Sequence, residues 1–354
     1  MTTPAPRVIA EIHDLRVHFP VRRGRDRLTA RAVDGVDLVI REREIVALVG
    51  ESGCGKTTIA RTIMRLQDVT AGSVGIGGVD VTHLRGRRLR RLRRDFQMIF
   101  QDPYESLSAN ATALDVVLEG VKIHRSDLTA QARRDAALAA LTACGLPSVA
   151  DRRIFQLSGG QRQRVAIAAA VAVQPRLLVA DEPVSMLDVS LRAGVLQVLL
   201  DMREKLGIAT LFITHDLALA GVFADRVAVL YLGRVVETGV AAEVIGAPAH
   251  PYTRALVAVM PTPGGRRGPR VLLSGEPPNP TDTAPGCRFA PRCPRYQELG
   301  RPERCRTEEP ALHAVGDQHS AACHFVATAP PNPRPVPENS TSATSHPTEE
   351  EYLP

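Results

Sequence analysis

Hydrophobic and polar positions alternate from Ile12 to Phe19, predicting a half-buried strand. A basic stretch, residues 21–32, follows and reads as a loop. Ala32 to Ile40 and Glu44 to Val49 read as further strands, the second a β-branched run ending at a glycine. Thr57 to Leu66 has helical spacing. Residues 111–145, rich in Ala and Leu, read as mostly helical up to Cys144-Gly145. Gln161 to Val173 reads as a helix stopped by Gln-Pro, Leu177 to Ala180 as a short apolar strand, Leu191 to Leu206 as a helix ended by Gly207, and Ala209 to Ile213 as another buried strand. Apolar strands alternating with helices predict an α/β fold with a parallel sheet covered on both faces.

The pattern weakens near residue 240. From Pro248 to Pro291 prolines and glycines recur with little periodicity, which predicts a small irregular module wrapped on the core. Residues 327–354 hold seven prolines, many Ser, Thr and Glu and few large apolar residues. Such a tail buries too little surface to offset its ordering entropy and is expected to be disordered.

Composition adds less. The 354 residues are 44% apolar and 23% charged, ordinary values for a globular chain of about two domains. The net charge of +6 is too mild to imply nucleic-acid binding. With aromatics at 4% and no Trp, a stacking platform for single strands is not expected. Seven arginines crowd residues 85–94; the favoured reading is a solvated basic face, the other an anionic-lipid or nucleic-acid contact. No apolar run is long enough to span a membrane, and the first residues lack a secretory pattern, so a cytoplasmic location is expected.

Candidate chemistry begins at Gly50-Glu51-Ser52-Gly53-Cys54-Gly55-Lys56-Thr57, which fits G-x-x-x-x-G-K-[ST] between a strand and a helix. Gly50, Ser52, Gly53 and Gly55 let backbone N–H groups turn toward phosphate oxygens, and the helix start adds its dipole. Lys56 would reach the β- and γ-phosphates, the Thr57 hydroxyl would hold Mg²⁺, and Thr58 is a further ATP-binding position. Asp181 and Glu182 end the strand at Leu177. Asp181 is placed for the Mg²⁺ shell, and Glu182, pointing elsewhere, for polarising a water. Ser158-Gly159-Gly160-Gln161 is a second glycine-rich helix start, useful if it caps a nucleotide held by another subunit. Gln101 follows an apolar strand as a Mg²⁺ or water contact, and His215 ends another as a γ-phosphate contact.

With these motifs in order, the sequence resembles the ATP-binding-cassette (ABC) ATPases over residues 8–260. Walker A is GESGCGKT, the Q-loop FQDP, the signature LSGGQ, Walker B LLVADE, the D-loop Ser185 to Asp188 and the His switch THD. The resemblance implies a P-loop NTPase core with an antiparallel N-terminal β part, a helical subdomain at about 100–165, and a nucleotide-binding domain ending near 245. It implies a head-to-tail dimer with two sandwiched ATPs. Phe19 falls where the family stacks an aromatic on adenine, although a core or edge-strand aromatic reads equally well. Ala169 departs from the family, which commonly has Arg there.

Residues 246–326 narrow the resemblance. His250-Pro251-Tyr252-Thr253-Arg254-Ala255-Leu256, Gly275-Glu276-Pro277-Pro278, GCRFAPRCP, ERCRTEEPAL and AACHF look like the C-terminal extension of dipeptide, oligopeptide and nickel importer ATPases. The Q-loop region and Arg31 to Val36 look more like the F-type subunit. This implies a second ATPase subunit in a heterodimer, two membrane permeases, an extracytoplasmic binding protein, no nucleic acid, and a peripheral place on the cytoplasmic membrane face. The rival classes are a soluble ABC ATPase, which usually carries two cassettes or a coiled coil, and a non-hydrolysing regulator, which would lack the carboxylate of Glu182.

The extension also holds Cys287, Cys293, Cys305 and Cys323, spaced C-x₅-C, C-x₁₁-C and C-x₁₇-C. A reducing compartment disfavours disulfides. Four thiolates suit tetrahedral zinc or a [4Fe–4S] cluster, and the related importers imply the cluster. Zinc and four free thiols are the alternatives, and His313, His319 and His324 are weaker substitute ligands.

Overall fold

The computed structural model describes residues 6–102, 107–260, 275, 276, 278–283 and 285–326. The predicted disordered tail and the Q-loop positions 103–106 lie outside these residues.

Two sheets form the frame. Strands β1 (Val8–Arg23), β2 (Asp26–Arg41), β4 (Ala71–Ile76) and β5 (Val79–Asp80) make an antiparallel sheet in the order β2-β1-β4-β5. The stretch 21–32 is not a loop. β1 and β2 continue as one hairpin in which Arg22 pairs with Arg27, and Gly24, with φ +63, supplies the left-handed turn. The charges there are tolerated because that end of the hairpin is exposed on both faces.

The second sheet runs β11-β12-β10-β9-β3-β8-β7-β6. Its centre is parallel: β3 (Ile45–Val49), β6 (Phe96–Ile99), β7 (Leu177–Asp181), β8 (Ala209–Thr214) and β9 (Arg226–Tyr231). Every residue of β3, β7 and β8 is buried, as continuous apolar strands covered on both faces require. β10 (Arg234–Val240), β11 (His313–Gly316) and β12 (His319–Ala321) are antiparallel. β12 and β11 come from the C-terminal extension, so that segment lengthens the core sheet as well as wrapping on it.

The helices adjust the sequence reading at their ends. The helix after the P-loop stops at Ile63 instead of Leu66, because Arg65 turns left-handed at φ +54 and leaves Leu66 exposed. Residues 111–145 form two helices, Ala113–His124 and Ala130–Ala143. Each is opened by a threonine cap: Thr112 accepts from the Asp115 amide and Thr129 from the Ala132 amide. Together with Gly159–Val171 they share an apolar core with Leu178 and Phe212 of the sheet, so the helical region is continuous with the sheet's packing. The arginine run lies on the helix Gly86–Leu92, where Leu89 is buried, Leu92 half-buried and the remaining residues exposed.

Candidate ATP site

The Gly50–Thr57 loop leaves β3 and enters the helix Lys56–Ile63, so its amides cap the C-terminal edge of the sheet. Lys56 is 5% exposed, and its Nζ donates to the carbonyls of Gly50 (2.8 Å) and Glu51 (3.0 Å). Thr57 Oγ1 donates to Asp181 Oδ1 at 3.4 Å. Burial holds the Asp181 carboxyl above its usual range, aided by the adjacent Glu182 charge and opposed by the Thr57 hydrogen bond. A cation beside it would relieve that penalty, so Thr57 and Asp181 fit a divalent metal.

Glu182 has φ +46, a left-handed backbone that turns its side chain away from that of Asp181. Its amide donates to the Ile213 carbonyl of β8. Its Oε2 lies 3.4 Å from Gln101 Nε2 and 3.3 Å from His215 Nδ1. The ends of β6, β7 and β8 therefore bring two predicted residues, Gln101 and His215, to the carboxylate of a third, Glu182. A cleft of about 560 Å³ is lined by Ala32, Ser52, Gly53, Gly55, Lys56, Thr57, Thr58, Gln101, Glu182 and His215. One carboxylate is thus aimed at the threonine beside the P-loop lysine, the other at the mouth where a water would attack a γ-phosphate.

The remaining predicted residues stand elsewhere. Ser158 caps the helix Gly159–Val171 in a reciprocal box: its Oγ accepts from the Gln161 amide, and Gln161 Oε1 accepts from the Ser158 amide. Ser158 is exposed, and none of Ser158 to Gln161 lines the cleft of its own chain. Asp188 is exposed at the start of the helix Val189–Leu206. Phe19 pairs with Ala30 across the hairpin and packs partly buried on the core. Ala32 is the cleft's lining residue from that hairpin. Ala169 packs against the helical core.

Two comparisons fall on this frame. Residues 33–185 match the family model for ABC transporters, and residues 236–298 match the C-terminal region of oligopeptide/dipeptide transporters. A protein of Sinorhizobium fredii described as a probable peptide ABC transporter ATP-binding protein is 42% identical over 326 residues, 91% of each chain. The chain belongs to the ABC transporter ATPases of the oligopeptide/dipeptide transporter family. The oligopeptide transport ATP-binding protein OppF of Salmonella typhimurium is 40% identical, over 90% of this chain and 96% of its own. Among solved structures, a dimeric ATP-binding cassette in a post-hydrolysis state with ADP and phosphate superposes at a TM-score of 0.58 with 31% identity, covering 66% of this chain and 99% of that one. This family member is accordingly an ATP hydrolase. No helix among its described residues is long and apolar enough to cross a membrane.

In the extension the four cysteines line one pocket, together with Phe289, Tyr296, His250 and His324. Among the described residues no group of three or more His, Cys, Asp or Glu is placed to hold a metal ion, so the structure does not gather the expected ligand set of Cys287, Cys293, Cys305 and Cys323. The thiols surround a space instead. Burial pushes Cys287 up to about 12 and Cys293 to about 11, and the neighbouring thiols add to both shifts. His313 is exposed on β11. His319 pairs with buried Glu237 at 2.6 Å, and His324 Nε2 lies 3.0 Å from the Glu308 carbonyl.

Sequence reasoning missed how the extension is attached. Phe289 is 1% exposed and packs its ring 5.2 Å from Tyr231, 5.4 Å from Tyr252 and 5.6 Å from His250. Arg288 is buried, donating to the Leu232 carbonyl and to Asp34 of β2. Arg292 makes a two-pronged ion pair with Glu51. The residues were visible within quoted motifs, but nothing in their spacing pairs position 34 with 288 or 51 with 292.

Proposed function

We propose that this chain is the ATP-hydrolysing subunit of a peptide importer, paired with a second ATPase subunit on the cytoplasmic face of two membrane permeases that receive cargo from an extracytoplasmic binding protein. The observation that carries the reading is the split of the motifs. Lys56, Thr57, Gln101, Glu182 and His215 share one cleft, with Asp181 hydrogen-bonded to Thr57 behind it, while the Ser158–Gln161 helix start, exposed at Ser158, lies outside it. A nucleotide in the cleft is thus half enclosed, and an exposed anion-binding helix start on a partner is what such a site lacks. The similarity to peptide and oligopeptide transport proteins supports peptides as the cargo.

Within the cleft, the loop amides and Lys56 bind and orient the phosphates. Phe19 or Ala32 bounds the adenine side. Glu182 holds the attacking water and takes its proton, with Gln101 and His215 fixing its carboxylate. Thr57, Asp181 and Gln101 would hold Mg²⁺, which when bound neutralises charge on the β- and γ-phosphates. Asp188 belongs to the surface facing the partner ATPase.

The test is ATP-driven uptake by the transporter reconstituted from this chain, the second ATPase and the permeases. Gly159→Asp probes the split. A side chain there meets only Leu187, at 3.8 Å, so the fold tolerates it, but it sets a negative charge at the anion-binding helix start. Turnover of the assembled complex should fall by about tenfold or more while the isolated chain keeps its nucleotide affinity. Unchanged turnover would remove Ser158–Gln161 from the partner's site.

The second reading concerns Cys287, Cys293, Cys305 and Cys323. Four thiols crowded on one pocket oppose one another as thiolates, Arg295 on the pocket wall offsets this at Cys323, and a bound metal centre would relieve the rest. Four cysteines lining one pocket support a thiolate-ligated centre, and the resemblance to the importer ATPases is what supports [4Fe–4S] over zinc. When bound, it would supply a covalent clamp for a segment poor in apolar residues. Anaerobically purified chain should be brown and carry about four irons. A colourless preparation, with zinc or without metal, would overturn the cluster.

A further inference from the structure

Glu51 is the first x of the G-x-x-x-x-G-K-[ST] pattern, which leaves its type unspecified, yet it is gripped at three points. Its amide donates to the Tyr252 hydroxyl at 3.0 Å. Its carbonyl receives Lys56 Nζ at 3.0 Å. Its carboxylate takes both prongs of Arg292, Nη1 to Oε2 at 2.9 Å and Nη2 to Oε1 at 3.2 Å. Arg292 is 8% exposed, so this pair is poorly screened by solvent. Its guanidinium also lies 5.9 Å from the centre of the Tyr231 ring, and Nη1 lies 3.4 Å from the Tyr231 hydroxyl. Arg292 closes the turn Ala290–Arg292 of the C-terminal extension, directly before Cys293 and three residues after the buried anchor Phe289.

Without nucleotide, Lys56 ties the loop by bonding the carbonyls of Gly50 and Glu51. When Lys56 turns to the phosphates, the Gly50 carbonyl loses that donor, and the Glu51 carbonyl keeps only the Cys54 amide at 3.3 Å. The Arg292 and Tyr252 contacts are then what hold Glu51 from outside the loop, and with it the direction of the amides that follow. Both come from the segment after residue 250.

We propose that Arg292 is a positioning residue of the ATP site, through which the C-terminal extension braces the phosphate loop and sets its affinity for ATP. It touches neither nucleotide nor reacting atoms; it acts through Glu51. The proposal rests on the ATP site described above.

The test is titration of the full chain with a fluorescent ATP analogue, alongside steady-state kinetics of the assembled transporter. Arg292→Gln should weaken nucleotide binding by about tenfold and raise the KM for ATP by a similar factor, with kcat changed by less than about twofold. Arg292→Lys, which restores the charge, should recover part of the loss. Glu51→Gln should match Arg292→Gln, and the double variant should be no worse than either, since both remove one interaction. Should Arg292→Gln not fold, Glu51→Gln carries the test from the loop side. Glu309→Gln breaks a different contact between extension and core, to Arg234 at 2.7 Å, and should leave affinity unchanged. Wild-type affinity in Arg292→Gln, additive losses in the double variant, or an equal loss in Glu309→Gln would each overturn the brace. Failure of the unmutated chain to bind the analogue would overturn the ATP site and the brace with it. Binding by the unmutated chain that Lys56→Ala abolishes leaves the site standing and isolates the question of Arg292.

Discussion

Glu182→Gln is expected to lower ATP turnover of the assembled complex on the order of 10³-fold while leaving ATP bound. The carboxylate ends β7 in a left-handed conformation at φ +46, which costs conformational energy and persists because the β8 carbonyl of Ile213 fixes the peptide. Its Oε2 faces both Gln101 and His215. Glutamine keeps that shape and can still meet both neighbours, so the cleft should keep its form and its nucleotide. What it loses is a group able to take the proton of an attacking water. Single-turnover measurement on the reconstituted transporter, with bound nucleotide counted separately, separates the two effects. Full turnover in the variant would show that another group activates the water, and loss of binding would show that Glu182 shapes the cleft. His215→Ala should cost less, about tenfold, because it removes one of two groups holding the carboxylate.

The motifs of this cleft were legible because each is local. A glycine-rich run between an apolar strand and a helix, or a carboxylate pair after Leu177–Ala180, carries its geometry in a few consecutive residues. The parallel order of the strands follows, since Gln101, Glu182 and His215 meet only if β6, β7 and β8 are neighbours with one orientation. Strand and helix ends were read less well. The tip of the β1–β2 hairpin is strongly basic and solvated, so it showed no alternation of buried and exposed positions although its backbone is fully paired.

The extension was recognised as a segment but its role in the core was not visible. Its strands at His313–Gly316 and His319–Ala321 are too short and too polar to show a period, and pairing with β10 makes them strands. Glu237 illustrates the difficulty. It is a charged residue on a core strand, fully buried because His319 and the amides of Ala249 and His250 satisfy its carboxylate. Those partners lie up to 82 residues away. Long-range polar contacts of this kind attach the cysteine-bearing segment to the sheet, and no local rule predicts them.

Gly55→Ala is the second change expected to have a large effect, and it follows from geometry alone. Gly55 has φ +111 and precedes the helix Lys56–Ile63, so its amide begins the anion-binding helix start. An added Cβ would sit 2.2 Å from the Ala32 carbonyl oxygen, a backbone atom fixed by the β1–β2 hairpin. The strained backbone costs about 1–3 kcal/mol and the clash a further ~1–3 kcal/mol. For a chain of this size that lowers the Tm by roughly 3–8 °C. Because the loop must move away from Ala32 to fit the methyl group, nucleotide affinity should fall by about a hundredfold or more. Gly53→Ala is the matched control for the fold. Its φ is +78, but an added Cβ meets nothing within 4 Å, so only the conformational cost of about 1 kcal/mol remains. Thermal unfolding of the two nucleotide-free variants should therefore separate by several degrees. Equal melting points would mean that the hairpin yields to the loop at no cost, and that Ala32 does not form a rigid wall of the ATP cleft.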